Sequence, residues 1–72
     1  MERFLAFHYD YEDPGGGMHD FLSDHPRLDE AIAAVTDAAD KRVNGWVVRF
    51  QDTAGHVWDS EVGAIVWDSF DL

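Results

Sequence analysis

The side chains best equipped for chemistry in this chain sit near its start. His8, Asp10, Glu12, Asp13, His19 and Asp20 gather around Gly15-Gly16-Gly17. Imidazole and carboxylate are competent ligands for zinc or manganese, so a metal site is the first chemistry to weigh. The spacing argues against it. Asp10, Glu12 and Asp13 do not make the D-x-D-x-D-G run of a calcium loop, and His8 and His19 are not an H-x-x-x-H pair. A solvated acidic loop, with no metal and no cofactor, is the expectation. The three glycines invite comparison with a phosphate cradle, but neither G-K-[ST] nor G-x-G-x-x-G is present, and Glu12 and Asp13 would repel phosphate. The loop reads as a turn. Paired carboxylates can act as acid and base, yet among 15 Asp and Glu some pairs arise by chance. Ser23, Ser60 and Ser69 each lie near Asp or His without the G-x-S-x-G elbow that exposes a nucleophile. No enzyme is expected.

Binding is what remains, and the composition says to what. Fifteen acidic residues oppose five basic ones in 72 residues, for a net charge of −10. Such a field repels nucleic acid and anionic membrane and attracts basic surfaces. The expected partner is therefore a basic protein surface, with no direct nucleic acid and no membrane. The same charge would also serve plain solubility. Five Phe, three Trp and two Tyr supply enough apolar area for one small core, so the chain reads as a folded acid in a single domain, residues 1–72. Cysteine is absent, which removes disulfides, thiolate metal sites and cysteine nucleophiles together, and fits a reducing cytosol. Met1 runs directly into Glu2-Arg3 and an aromatic segment, so neither a signal peptide nor a membrane span is expected.

The elements that must position these groups follow from periodicity. Residues 3–11 alternate, with Leu5, Phe7 and Tyr9 on one face and Phe4, Ala6, His8 and Asp10 on the other, which predicts a strand. Pro14 and the glycines end it. Met18 to Leu22 carries no clear pattern. A helix is predicted after Pro26, with Asp29 and Glu30 at the positive end of its dipole. Leu28, Ile32, Val35 and Ala39 form its apolar stripe, and Ile32 is expected to be buried on the sheet. Asp29, Ala33, Thr36, Asp37 and Asp40 fall on the other side, with Lys41 and Arg42 closing the helix. Asn44-Gly45 is expected to break it. Trp46 to Gln51 and His56 to Trp58 then read as a hairpin across Asp52-Thr53-Ala54-Gly55. In the tail, Val62, Ala64 and Val66 alternate with Gly63, Ile65 and Trp67, which favours a further strand over a helical turn. Leu5, Phe7, Val47 and Phe50 are the core candidates. Tyr11, Trp46, Trp58, Trp67 and Phe70 exceed what one sheet face needs, so some are expected at the surface.

The order of these features resembles a loose group of very small proteins carried by phages and mobile elements. The matching residues are Phe4 to Tyr9, Pro14-Gly15-Gly16-Gly17 with Asp20, Leu28-Asp29-Glu30-Ala31, and Trp46 to Val57 around Thr53-Ala54-Gly55, covering roughly residues 3–58. Some small acidic phage proteins of similar build are anti-CRISPR or other anti-defence inhibitors. The resemblance implies an inhibitor acting in the cytoplasm of a host cell.

The expectation is thus an α+β domain in the order β-α-β-β(-β), an antiparallel sheet of three or four strands with one helix on one face. Glu12, Asp13, Asp20, Asp29, Asp37 and Asp40 are expected to form a negative surface that occupies a basic, nucleic-acid-binding surface of a host defence protein such as a CRISPR effector complex. Spaced carboxylates can compete for Lys and Arg placed to neutralise phosphates. Two alternatives stand beside it: a homo-oligomer, possible as a homodimer, joined by exposed aromatics, and a small metal-binding module around His8 and His19.

Overall fold

Alternation over Phe4–Asp10 does produce the first strand, β1 (Phe4–Asp10). The structure, a computed structural model, describes residues 1–10, 15–48, 50 and 52–71. Among the described residues, six strands and one α-helix run in the order β1, β2 (Phe21–His25), α1 (Leu28–Ala39), β3 (Lys41–Val43), β4 (Trp46–Val48), β5 (Thr53–Asp59) and β6 (Ala64–Asp68). A four-stranded antiparallel sheet has the order β2-β1-β5-β6, and β3 with β4 makes a separate two-stranded ribbon. The class is α+β, as expected. The patternless stretch after the glycines resolves into a 3-10 turn, Gly17–Asp20, running straight into β2.

The helix covers one face of the sheet. Cross-strand partners share a face, so Phe4 and Ala6 of β1 meet Asp59 and Val57 of β5 on the helix side. The core there is Phe4, Ala6, Ala31, Val35 and Val57, with Leu28, Ile32, Ala34, Phe50 and Trp67 packed around it. Val35 and Ala39 of the anticipated stripe are fully buried, but Ala31 sits beside Val35 where Ile32 was expected. Ile32 is only half-buried at the edge of the core. A small residue under the helix lets its axis come closer to the sheet, which moves the larger one outward.

That close approach explains Gly55. It lies inside β5 rather than in a turn, because a Cβ there would stand 2.3 Å from Val35 Cγ1 and 2.6 Å from the Phe7 carbonyl oxygen. Thr53, Ala54 and Gly55, expected to form a turn, are therefore buried strand residues. The expected hairpin between Trp46–Gln51 and His56–Trp58 does not form. β4 pairs with β3, and β5 pairs with β1 and β6. Asn44-Gly45 is the reason. Both residues have positive φ, 53° and 82°, the backbone of a two-residue hairpin turn. The helix has already stopped at Ala39, and Lys41 and Arg42 belong to the ribbon rather than to the helix end.

Both edge strands of the sheet are irregular. Between Ala6 and Phe7 the partner in β2 steps from Ser23 to Phe21, which leaves Leu22 as an extra residue. Between Val57 and Trp58 the partner in β6 steps from Trp67 to Ile65, which leaves Val66 extra. Each is a bulge of one residue. At the start of the sheet, Arg3 makes a two-pronged contact with Asp59, with both N···O distances 2.9 Å, and a third with Glu61 at 2.9 Å. Ser60 donates its hydroxyl to the Arg3 carbonyl. Asp59 is 3 % exposed, and the Arg3 hydrogen bonds hold its carboxyl below the usual carboxylate range.

Candidate functional site

The face of the sheet away from the helix carries Leu5, Phe7 and Tyr9 of β1, and opposite them Trp58, His56 and Ala54 of β5. β2 adds Phe21 opposite Phe7, and β6 adds Ile65 opposite Trp58 and Asp68 opposite His56. Leu5 and Phe7 thus pack here and not beneath the helix. The aromatic rings are in register: Phe21 meets Phe7 edge-on at 5.8 Å, Phe7 stacks on His56 at 4.9 Å, and Tyr9 tilts against His56 at 5.8 Å. The 3-10 turn lays Met18 and Asp20 beside this row. Together Leu5, Phe7, Met18, Asp20, His56, Trp58 and Ile65 line an open groove of about 420 Å³. Burial pushes the His56 imidazole below its ordinary value, against the opposing pull of Asp68 and Asp20, which favours the uncharged ring within the apolar lining.

The acidic residues expected to form one surface are divided. Glu12 and Asp13 lie outside the described residues. Asp20 is half-buried, and its two carboxylate oxygens accept the backbone N–H groups of Gly15 and Gly16 at 3.0 and 2.9 Å. It holds the glycine loop shut and faces the groove, not the helix. Asp40 follows the last turn of α1 and is half-buried, with Oδ1 inside the protein, so it is not the solvated carboxylate that the helical wheel implied. Asp29 and Asp37 are exposed along α1, and Glu30 joins them. Arg27 bonds Asp29 at 3.2 Å. Among the described residues no cation is paired with Glu30 or Asp37.

Around the histidines, His8 stands on the helix side of β1 opposite Gly55, and burial lowers its affinity for a proton. His19 is exposed. Among the described residues no group of three or more His, Asp and Glu comes together in a way that could hold a metal ion. The serines are all engaged. Ser60 braces Arg3, Ser69 Oγ accepts the Gly55 N–H at 3.1 Å, and Ser23 Oγ lies 2.7 Å from His25 Nε2. The last pair resembles a nucleophile and base, but among the described residues no carboxylate orients the other ring nitrogen, as a triad requires. No helix among the described residues is long and apolar enough to cross a membrane.

Two features are hidden by local sequence. The groove side is carried by the alternation of Ala54, His56 and Trp58 against Gly55 and Val57, which the turn-forming residue types of Asp52-Thr53-Ala54-Gly55 obscure. The ribbon is obscured because Asn44-Gly45 suits a helix end as well as a hairpin turn. Trp46 stands on it at 76 % exposure and Val47 at 53 %, so Val47 is not a core residue. Of the other large aromatics, Trp58 and Phe70 are exposed and Trp67 is half-buried against Phe50 at 6.2 Å, while Tyr11 lies outside the described residues. No protein-family model matches the chain, and comparison with curated proteins and with solved structures finds no match.

Proposed function

We propose that the chain works by non-catalytic binding, docking the acidic outer side of α1 on a basic protein surface that otherwise holds nucleic acid. In its sharpest form this is a phage-type inhibitor of a host defence protein, acting inside the host cell. One observation carries the reading. Asp29, Glu30 and Asp37 are exposed along one helix, and the cation beside them, Arg27, is already bound to Asp29. A rise of 1.5 Å per residue puts Glu30 and Asp37 about 10 Å apart along a rigid axis. Rigid, spaced carboxylates can engage a row of Lys and Arg with little ordering cost, and the net charge of −10 steers the encounter.

The test is competition. A basic nucleic-acid-binding effector complex is incubated with labelled duplex DNA and increasing amounts of the protein, at low and at high salt. The protein should displace the DNA at low salt and lose that ability at high salt, because exposed charges are screened beyond about 8 Å at physiological ionic strength. The double charge reversal Glu30→Lys/Asp37→Lys should abolish displacement while the protein stays folded by circular dichroism. Its melting temperature should fall only by what corresponds to the about 0.3–1 kcal/mol that Glu30 contributes at the positive end of the helix. A displacement insensitive to salt and to both reversals would refute the reading.

A further inference from the structure

The ribbon and the groove answer each other. In the ribbon, Val43 stands opposite Trp46 and Lys41 opposite Val48, so these four side chains share one face. Its extensive contacts among the described residues are between its own two strands, and an isolated two-stranded ribbon is marginal in water. Trp46 and Val43 are nevertheless exposed on it. On a chain of net charge −10, the ribbon also carries two adjacent exposed cations, Lys41 and Arg42, and among the described residues neither is in an ion pair. The helix-free face offers the complement: an apolar groove with Asp20 in its wall and Asp68 opposite His56 at its edge. Asp20 uses one acceptor direction of each oxygen on the glycine loop, and a carboxylate has about four. The sheet edges are poorer sites, because the bulges at Leu22 and Val66 interrupt the row of N–H and C=O groups that an added strand would need.

We propose that the groove receives the β3–β4 ribbon of a second copy of this chain, with Trp46 seated against Phe7, Trp58 and Ile65 and Lys41 turned to the carboxylates. Exchange about a two-fold axis satisfies two ribbons and two grooves in one closed dimer. The outer side of α1 takes no part, so this inference stands apart from the docking function proposed above.

Sedimentation equilibrium of the full chain, from micromolar to millimolar concentration, should fit a monomer–dimer equilibrium. Trp46→Ala on the ribbon and Ile65→Asp in the groove should each raise the dissociation constant by more than about tenfold, since each change damages both contacts. Trp46 is 76 % and Ile65 50 % exposed, so both variants should keep the parent's circular dichroism, and its melting temperature at concentrations where the parent is monomeric. If Ile65→Asp disturbs the fold, Met18→Asp in the same groove replaces it, Met18 being 61 % exposed. Mixing the ribbon variant with the groove variant should then produce a species heavier than either alone, because one intact ribbon meets one intact groove. A parent that stays monomeric would overturn the proposal. So would a dimer indifferent to Trp46→Ala, which means groove packing on groove, or a mixture no heavier than its parts.

Discussion

Replacing Gly55 with alanine tests the closest approach between helix and sheet. The new Cβ would stand 2.3 Å from Val35 Cγ1 and 2.6 Å from the Phe7 carbonyl oxygen. The first neighbour is a buried methyl in the middle of α1, and the second is backbone of the central strand, so neither can step aside as a surface rotamer would. Two effects oppose each other. Alanine restricts the unfolded chain and by that route stabilises by about 0.4–1 kcal/mol. An extra carbon in a filled core costs about 1–3 kcal/mol. The packing term wins, for a net loss of about 1–2 kcal/mol. A domain of 72 residues at about 0.05–0.15 kcal/mol per residue has only about 4–11 kcal/mol to lose. At about 4–8 °C per kcal/mol, thermal unfolding followed by circular dichroism should show a drop of about 4–16 °C. Adding Val35→Ala removes one of the two clashes, so the double variant should lose less than the two single losses together, by about 0.5 kcal/mol or more. A Gly55→Ala protein that melts at or above the parent's temperature, or losses that simply add, would show that the helix does not pass over Gly55.

Three further outcomes are expected. Arg3→Gln strips the buried Asp59 carboxylate of its partner and should lower the melting temperature more than Arg3→Gln/Asp59→Asn, which removes both charges; equal losses would mean the pair is not coupled. His8 and His56 are both held below 6.5 by burial, so the unfolded chain takes up protons that the folded chain refuses. Their contribution to stability is full above about pH 6.5 and falls as the pH drops through that value towards the lower folded-state values. Urea midpoints measured down this range should fall less steeply in His56→Gln than in the parent, and identical slopes would count against the buried ring. Gly45→Ala forces alanine to a φ of 82° and should cost about 1 kcal/mol, felt as faster hydrogen exchange at Val43 and Trp46 while the β1–β5 amides stay protected; a uniform acceleration would mean the ribbon folds as one unit with the sheet.

The parts of the fold that were legible from sequence are those governed by one local pattern. The alternation of Phe4–Asp10 appears as read, and the helix forms over Leu28–Ala39 with Ala31 taking the place of Ile32 in its buried stripe. The strand read in the tail forms as Ala64–Asp68, with a bulge at Val66 that puts Ile65 and Trp67 on opposite faces. The misread parts are places where one residue serves two physical purposes. Glycine at position 55 marks a turn when only neighbours in sequence are considered, and a close approach once the helix is placed above it. Asn44-Gly45 suits a helix end and a hairpin equally, and Val43 with Trp46 decides for the hairpin only when paired across the turn. The acidic residues were visible by type, but their directions were not. Asp20 turns to two glycine N–H groups and Asp40 turns inward, while Asp37 and Glu30 remain in solvent. The groove depends on which face of β1 the helix chooses, and both faces of that strand are apolar enough to be chosen.

β1 is an inner strand whose two neighbours come from opposite ends of the chain's order. β2 follows it closely, whereas β5 begins at Thr53, and the Arg3–Asp59 contact spans 56 positions. Closing so long a loop adds little to the equilibrium cost, since each doubling of length adds only about 0.6 kcal/mol, but such distant pairings slow folding. During synthesis the first strand therefore waits. Until Thr53–Asp59 has left the ribosome, one side of β1 shows a row of unpaired backbone groups flanked by Leu5 and Phe7. A chain that stops before Thr53 keeps that side of β1 open and is exposed to proteases as an unfolded fragment, so closure of the sheet waits on the synthesis of Thr53–Asp59.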